Sequence, residues 1–182
     1  YTQDQFDEIV SNTGWGLDGW IQAAANEHKK TTGDINEFYK LLEHSLYGDL
    51  RDKAKSVGIE HQVVVALNDP RNISKENVFL VCEFFENNYS DSSLLSLAKS
   101  LIATLNSPEK LPSSIITFNA DTLLHTIIEL FQRRNHYQEP PPHSHPKYYF
   151  KTILRSTGGV PKQKIPIFHC HGAIKPKADG KG

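Results

Sequence analysis

Asn119, Asp121 and His171 are the residues whose types and spacing suit chemistry at one point. An imidazole takes and gives a proton near neutral pH. A carboxamide offers donors and an acceptor, and a carboxylate can steady developing positive charge. Residues 114–118, Ser-Ile-Ile-Thr-Phe, are apolar and β-branched and read as a short buried strand, with Asn119 and Asp121 just past its end. From Thr122 the pattern turns helical, with Leu123, Leu124, Ile127, Ile128 and Leu130 at three- and four-residue spacing. A second strand-like run begins at Ile165 and ends on His171, followed at once by Gly172, which lets backbone or ligand come close. In an open α/β sheet, ligands bind outside the carboxyl ends of the strands. Both sets of polar groups are expected there.

Together the two runs resemble the Thr-x-Asn-x-Asp and His-Gly motifs of the SIR2 family, in its bacterial SIR2-like branch. Here they read Thr117-Phe118-Asn119-Ala120-Asp121, with Leu123-Leu124 following, and His171-Gly172, with Asn119 and His171 52 positions apart. The resemblance implies an α/β fold, a Rossmann-like parallel sheet of the SIR2/DHS-like kind with a large helical insertion over about 20–107. Core strand–helix units would span about 113–134 and 165–174, within one domain over 1–182. It implies NAD+ as substrate, met by Thr117, Phe118, Asn119, Asp121 and Gly172, with His171 and Asn119 catalytic. His171 would be the base beside the nicotinamide-bearing ribose. Asn119 would hold a ribose hydroxyl or the attacking water, and Asp121 would bond the nicotinamide carboxamide. The implied activity is that of an NAD glycohydrolase (an NADase), and one implied setting is bacterial anti-phage defence. NAD-dependent protein deacylation, ADP-ribosyl transfer and a non-catalytic nucleotide-sensing module are the alternatives; a helical scaffold with chance motif matches is the bland one.

The chain departs from the family at three places. The family's Gly-Ala-Gly-x-Ser loop, whose N–H groups would meet the dinucleotide phosphates, is absent before Val10-Ser11. Only Gly16-Leu17-Asp18-Gly19-Trp20 resembles the Gly-Leu-Pro-x-Trp segment that follows it. Ala120 stands where Tyr or Ile is common. The four-cysteine zinc module of deacetylase sirtuins cannot be built from Cys82 and Cys170, so no zinc is expected.

Bulk properties narrow the partners. A net charge of −1 gives no electrostatic pull toward nucleic acid or membrane. Two cysteines fit a reducing, cytoplasmic compartment. The chain starts at Tyr1 and has no methionine, so a piece of a longer protein is expected, with an activating protein, a further domain or a homo-oligomer among its partners. His143, His145, His169 and His171 with Cys170 are dense enough to raise metal binding. Without Cys-x-x-Cys, a solvated proline-rich loop is the better account of His143 and His145. Gly14-Trp15-Gly16-Leu17-Asp18-Gly19 matches G-x-G-x-x-G, but no strand precedes it, and a turn before a helix with Asp18 near its cap is expected.

The elements that must position these groups are mostly helical. Helices are expected from Trp20 to Lys30 and from Asp34 or Asn36 to about Ala54. The second would carry an apolar stripe of Phe38, Leu41, Leu42 and Leu46, and Gly48 could break it. Residues 63–67 read as strand or short helix, and residues 78–85 as helix. A helix from Ser93 to Leu105 would bury Leu94, Leu95, Leu97, Ala98, Leu101, Ile102 and Leu105. His125 and Glu129, one turn apart in the helix after Thr122, read as a surface pair.

Overall fold

The computed structural model describes residues 17–106, 108–117, 119, 121–138, 149–153, 164–169 and 174–177. The chain divides into two compact units, Tyr1–Leu46 and Tyr47–Gly182. In the first, α1 (Leu17–Thr32) ends at Gly33, whose positive φ of 79° lets its N–H turn back to the Lys29 carbonyl at 2.9 Å. Lys29 and Lys30 occupy the last turn of α1, where the helix dipole favours cations. Asp34 then accepts the Asn36 N–H at 2.8 Å and starts α2 (Ile35–Ser56). Gly48 does not break α2, because one helical glycine costs only about 1 kcal/mol. Leu41 is 59% exposed and is not part of the buried stripe expected for this helix.

The second unit takes in α2 from Tyr47 onward, then α3 (Glu60–Asn68), α4 (Lys75–Asn88) and α5 (Ser93–Ala103). Residues 63–67 are helix, so the strand alternative falls. Ser74 caps α4 by accepting the Asn77 N–H. On α5 the buried residues are Leu95, Ala98 and Ile102, with Leu105 buried just after. Leu97, expected inside, is 48% exposed, because it lies on the far side of that 3.6-residue stripe.

Three short strands follow: β1 (Ile115–Thr117), β2 (Tyr149–Ile153) and β3 (Lys164–His169). They form a parallel sheet in the order β1-β3-β2, with β3 central. Between β1 and β2 runs α6 (Leu123–Gln138). The unit is thus α/β, mainly helical, with a small parallel sheet among the described residues. Every residue from Leu124 to Phe131 is buried, since α6 meets α3, α4, α5 and β2. Fully burying Ile128 or Leu130 contributes about 1.5–3 kcal/mol each.

Polar contacts fix α6 in register. Arg134 reaches Glu86 of α4 with two bonds of 2.6 and 3.1 Å, and Lys99 of α5 reaches the same carboxylate at 2.7 Å. On the sheet side, Gln132 accepts the Phe150 N–H at 2.7 Å and donates to its carbonyl at 3.3 Å, while Glu129 accepts the Thr152 N–H at 3.2 Å. These two side chains satisfy main-chain groups of β2 that would otherwise be open to stray pairing. Glu129, at 9% exposure, is therefore no surface partner of His125. Among the described residues, no helix is long and apolar enough to cross a membrane.

Candidate functional site

The site forms where β1 and β3 end. The two strands run parallel with Thr117 paired to His169, so both chains leave the sheet at the same edge. Thr117 is buried, and its hydroxyl accepts the Asn119 N–H at 3.2 Å. That bond turns the chain out of the strand and leaves Asn119 exposed. Asp121 is half-buried and accepts the Leu123 N–H at 2.8 Å, capping the start of α6 where the dipole favours an anion.

Thr122 and Tyr47 are wholly buried and tie this corner to α2. The Tyr47 hydroxyl accepts the Thr122 N–H at 2.8 Å, lies 3.2 Å from the Thr122 hydroxyl, and donates to the Ile174 carbonyl at 2.6 Å. Residues 174–177, past β3, are also pinned to α3. Asn68 donates to the Pro176 carbonyl at 2.6 Å, and Lys175 donates to the Asn68 carbonyl at 2.6 Å, at a helix end that favours a cation. Tyr47→Phe is expected to lower stability by about 2 kcal/mol, since it leaves buried partners without a hydrogen bond. Urea unfolding of the two proteins, compared at equal slope, measures this.

Two histidines complete the corner. His125 on α6 and His169 at the end of β3 are 3% and 7% exposed, and His125 Nδ1 lies 2.7 Å from His169 Nε2. Their rings are nearly perpendicular, at 86°, with centroids 4.7 Å apart. Burial is the main reason that the His125 pKa falls to about 3, and His169 and Lys175 lower it further while Asp69 opposes. Burial also lowers the His169 pKa, with the Asp121 charge and the Asn119 backbone opposing. Both imidazoles are thus neutral at physiological pH. His169 Nδ1 makes no hydrogen bond of normal geometry among the described residues, although the Asn119 backbone lies beside the ring.

Of the residues expected from the sequence, Thr117, Asn119 and Asp121 come together at this sheet edge with His169. Phe118, His171 and Gly172 lie outside the described residues, as do Ala120, Cys170, His143, His145 and the glycines at 14 and 16. Cys82 is a buried free thiol whose pKa burial pushes up to about 12, so it is inert. No group of three or more His, Cys, Asp or Glu side chains that could hold a metal occurs among the described residues. The sequence reading missed Tyr47 altogether and put His125 on the surface. The clue for His125 was its place in an apolar run, Leu123 to Phe131, too continuous to leave a solvent face. Comparison with protein-family models, with curated proteins and with solved structures found no match to this chain.

Proposed function

We propose that the chain is a SIR2-like, Rossmann-like nucleotide-binding protein that hydrolyses NAD+ at the bond between nicotinamide and ribose. One observation carries the reading: the parallel Thr117–His169 register brings the Asn119-x-Asp121 corner beside the strand that leads to His171-Gly172. Ligands of open parallel sheets sit at such an edge. The side chains suit the nicotinamide–ribose end of the dinucleotide, which joins a pyridinium cation to neutral hydroxyl and amide groups. Asn119 presents an exposed carboxamide to a ribose hydroxyl or a water, and the Asp121 carboxylate can accept from the nicotinamide amide. A carboxylate there also favours the positive charge that grows on the ribose as the bond breaks. His171 is the base of this scheme, and the two buried neutral histidines are not.

The test is to incubate the chain with NAD+ and quantify nicotinamide, with and without an acyl-lysine peptide. Release without peptide is the expected result. Release only with peptide would make the protein a deacylase. Binding without turnover would make it a nucleotide sensor, and neither binding nor turnover would remove the NAD reading.

A further inference from the structure

We propose that Tyr47 is a positioning residue whose hydroxyl fastens the turn carrying Asp121 to the chain that follows His171-Gly172, and so fixes the spacing between the two halves of the site. The ring stands on α2 in a buried stripe with Leu50 and Ala54, three and seven residues further on, and none of the three is more than 6% exposed. A tyrosine sunk this deeply carries its hydroxyl into the interior, where the group needs hydrogen-bond partners. It finds them 75 and 127 positions away in the chain.

The direction of each bond follows from what each partner can do. Ile174 offers a carbonyl, which only accepts, so the hydroxyl hydrogen lies on that 2.6 Å contact. The Thr122 N–H only donates, so the phenolic oxygen accepts it at 2.8 Å. The Thr122 hydroxyl, 3.2 Å away, is then the donor of the third contact. One oxygen atom thus bridges two main-chain segments, and bonds that run donor to acceptor in series strengthen one another in a low-dielectric interior.

Each end of the bridge lies next to a residue of the proposed site. Thr122 directly follows Asp121, and the Asp121 carboxylate takes the next amide, the Leu123 N–H, at 2.8 Å. Moving the Thr122 N–H therefore moves the anion. On the other side, His171 stands in sequence between two held residues. His169 is in register with Thr117 in the sheet, and Ile174 is bonded to Tyr47. Beyond Ile174, Asn68 of α3 donates to the Pro176 carbonyl at 2.6 Å, so residues 174–177 have a second anchor. With its hydrogen given to Ile174 and its ring buried, Tyr47 neither touches the substrate nor exchanges a proton with it. Its effect on turnover rests on the proposed function; the bridge itself does not.

A double-mutant cycle read by NMR on the ligand-free chain tests the bridge. Asn68→Ala releases the Pro176 carbonyl and leaves Tyr47 untouched. Because the hydroxyl couples Ile174 to Thr122, Asn68→Ala should shift the Thr122 amide resonance and speed its exchange with solvent. In the Tyr47→Phe background the same substitution should leave the Thr122 amide where Tyr47→Phe alone puts it. An equal effect in both backgrounds, or none in either, would overturn the bridge. With NAD+ as substrate, Tyr47→Phe should lower kcat about tenfold or more with KM little changed, since small misplacements of positioned groups are costly. Leu95→Ala, on the buried side of α5, is the control for lost stability. It should melt at least as early as Tyr47→Phe yet keep the wild-type kcat at a temperature where both variants are folded. Equal kcat values for the two variants would reduce Tyr47 to packing. If the wild-type chain released no nicotinamide, the hydrolase reading would fall, while the Thr122 amide would still decide the bridge.

Discussion

Asn119→Ala should reduce nicotinamide release by about a hundredfold, the usual loss when one well-placed hydrogen-bonding group is removed from a reacting centre. His171→Ala should leave no measurable turnover, because a positioned acid–base group commonly supplies about a hundredfold to ten-thousandfold. The Asn119 variant is the cleaner of the two. Its side chain is exposed, and the bond that shapes this turn runs from its main-chain N–H to Thr117, which alanine keeps. Stability should therefore move by no more than about 0.5 kcal/mol, as at other surface positions. Steady-state kinetics and a thermal melt on the same preparation check both halves. A large loss of rate with an unchanged melt places Asn119 in the chemistry. Wild-type rates in both variants would refute the assignment.

Much of this corner was legible before the fold was known, and the reasons are local. A short β-branched run, then Asn and Asp, then a helical repeat is a switch of period from two to 3.6 within a dozen residues. That switch located β1, the turn and the start of α6 to within about two residues, whereas α6 runs on to Gln138, four residues past the expected end near 134. The second run likewise yielded β3. β2 was not legible: Tyr149 to Ile153 is too short for a period, and it is a strand because β3 pairs with it and α6 caps its main chain. The burial of His125 and Glu129 was missed for a related reason. An i, i+4 pair of opposite character on a helix is usually a surface device. Here each group finds a different partner across a tertiary contact, His169 for one and the Thr152 main chain for the other. Tyr47 carried no signal at all, because its hydroxyl is satisfied by residues 75 and 127 positions away.

Acid should destabilise this protein over two pH ranges, and the first belongs to the histidine pair. His125 has a folded-state pKa of about 3 against 6.5 for a free imidazole, and the His169 pKa is also lowered. The unfolded chain therefore binds more protons than the folded one below pH 6.5. Stability from keeping the rings neutral is complete above that pH and is lost as pH falls toward 3. For His125 alone the slope is about 1.4 kcal/mol per pH unit, or about 2–3 kcal/mol by pH 4.5. The second range belongs to Glu86, whose pKa is held near 2 by Arg134 and then by Lys99 against an opposing cost of burial. Its contribution is present above its ordinary 4.5 and is lost only as pH falls from there toward 2. The interval from pH 6.5 to 4.5 thus isolates the imidazoles. The charged groups that bear on them are Asp121 before α6, Asp69 and Arg71 after α3, and Lys175 past β3. The two cations oppose protonation of His125, and the two carboxylates cannot reverse the effect of burial. Urea unfolding at neutral pH and near pH 4.5 measures the loss. His125→Leu should be less stable than wild type by about 1 kcal/mol at neutral pH, for the lost hydrogen bond. It should fall less steeply on acidification, so the two curves converge or cross. A wild-type chain equally stable at both pH values would mean that the rings are not buried neutral, and the link from β3 to α6 would have to be something other than a pair of uncharged imidazoles.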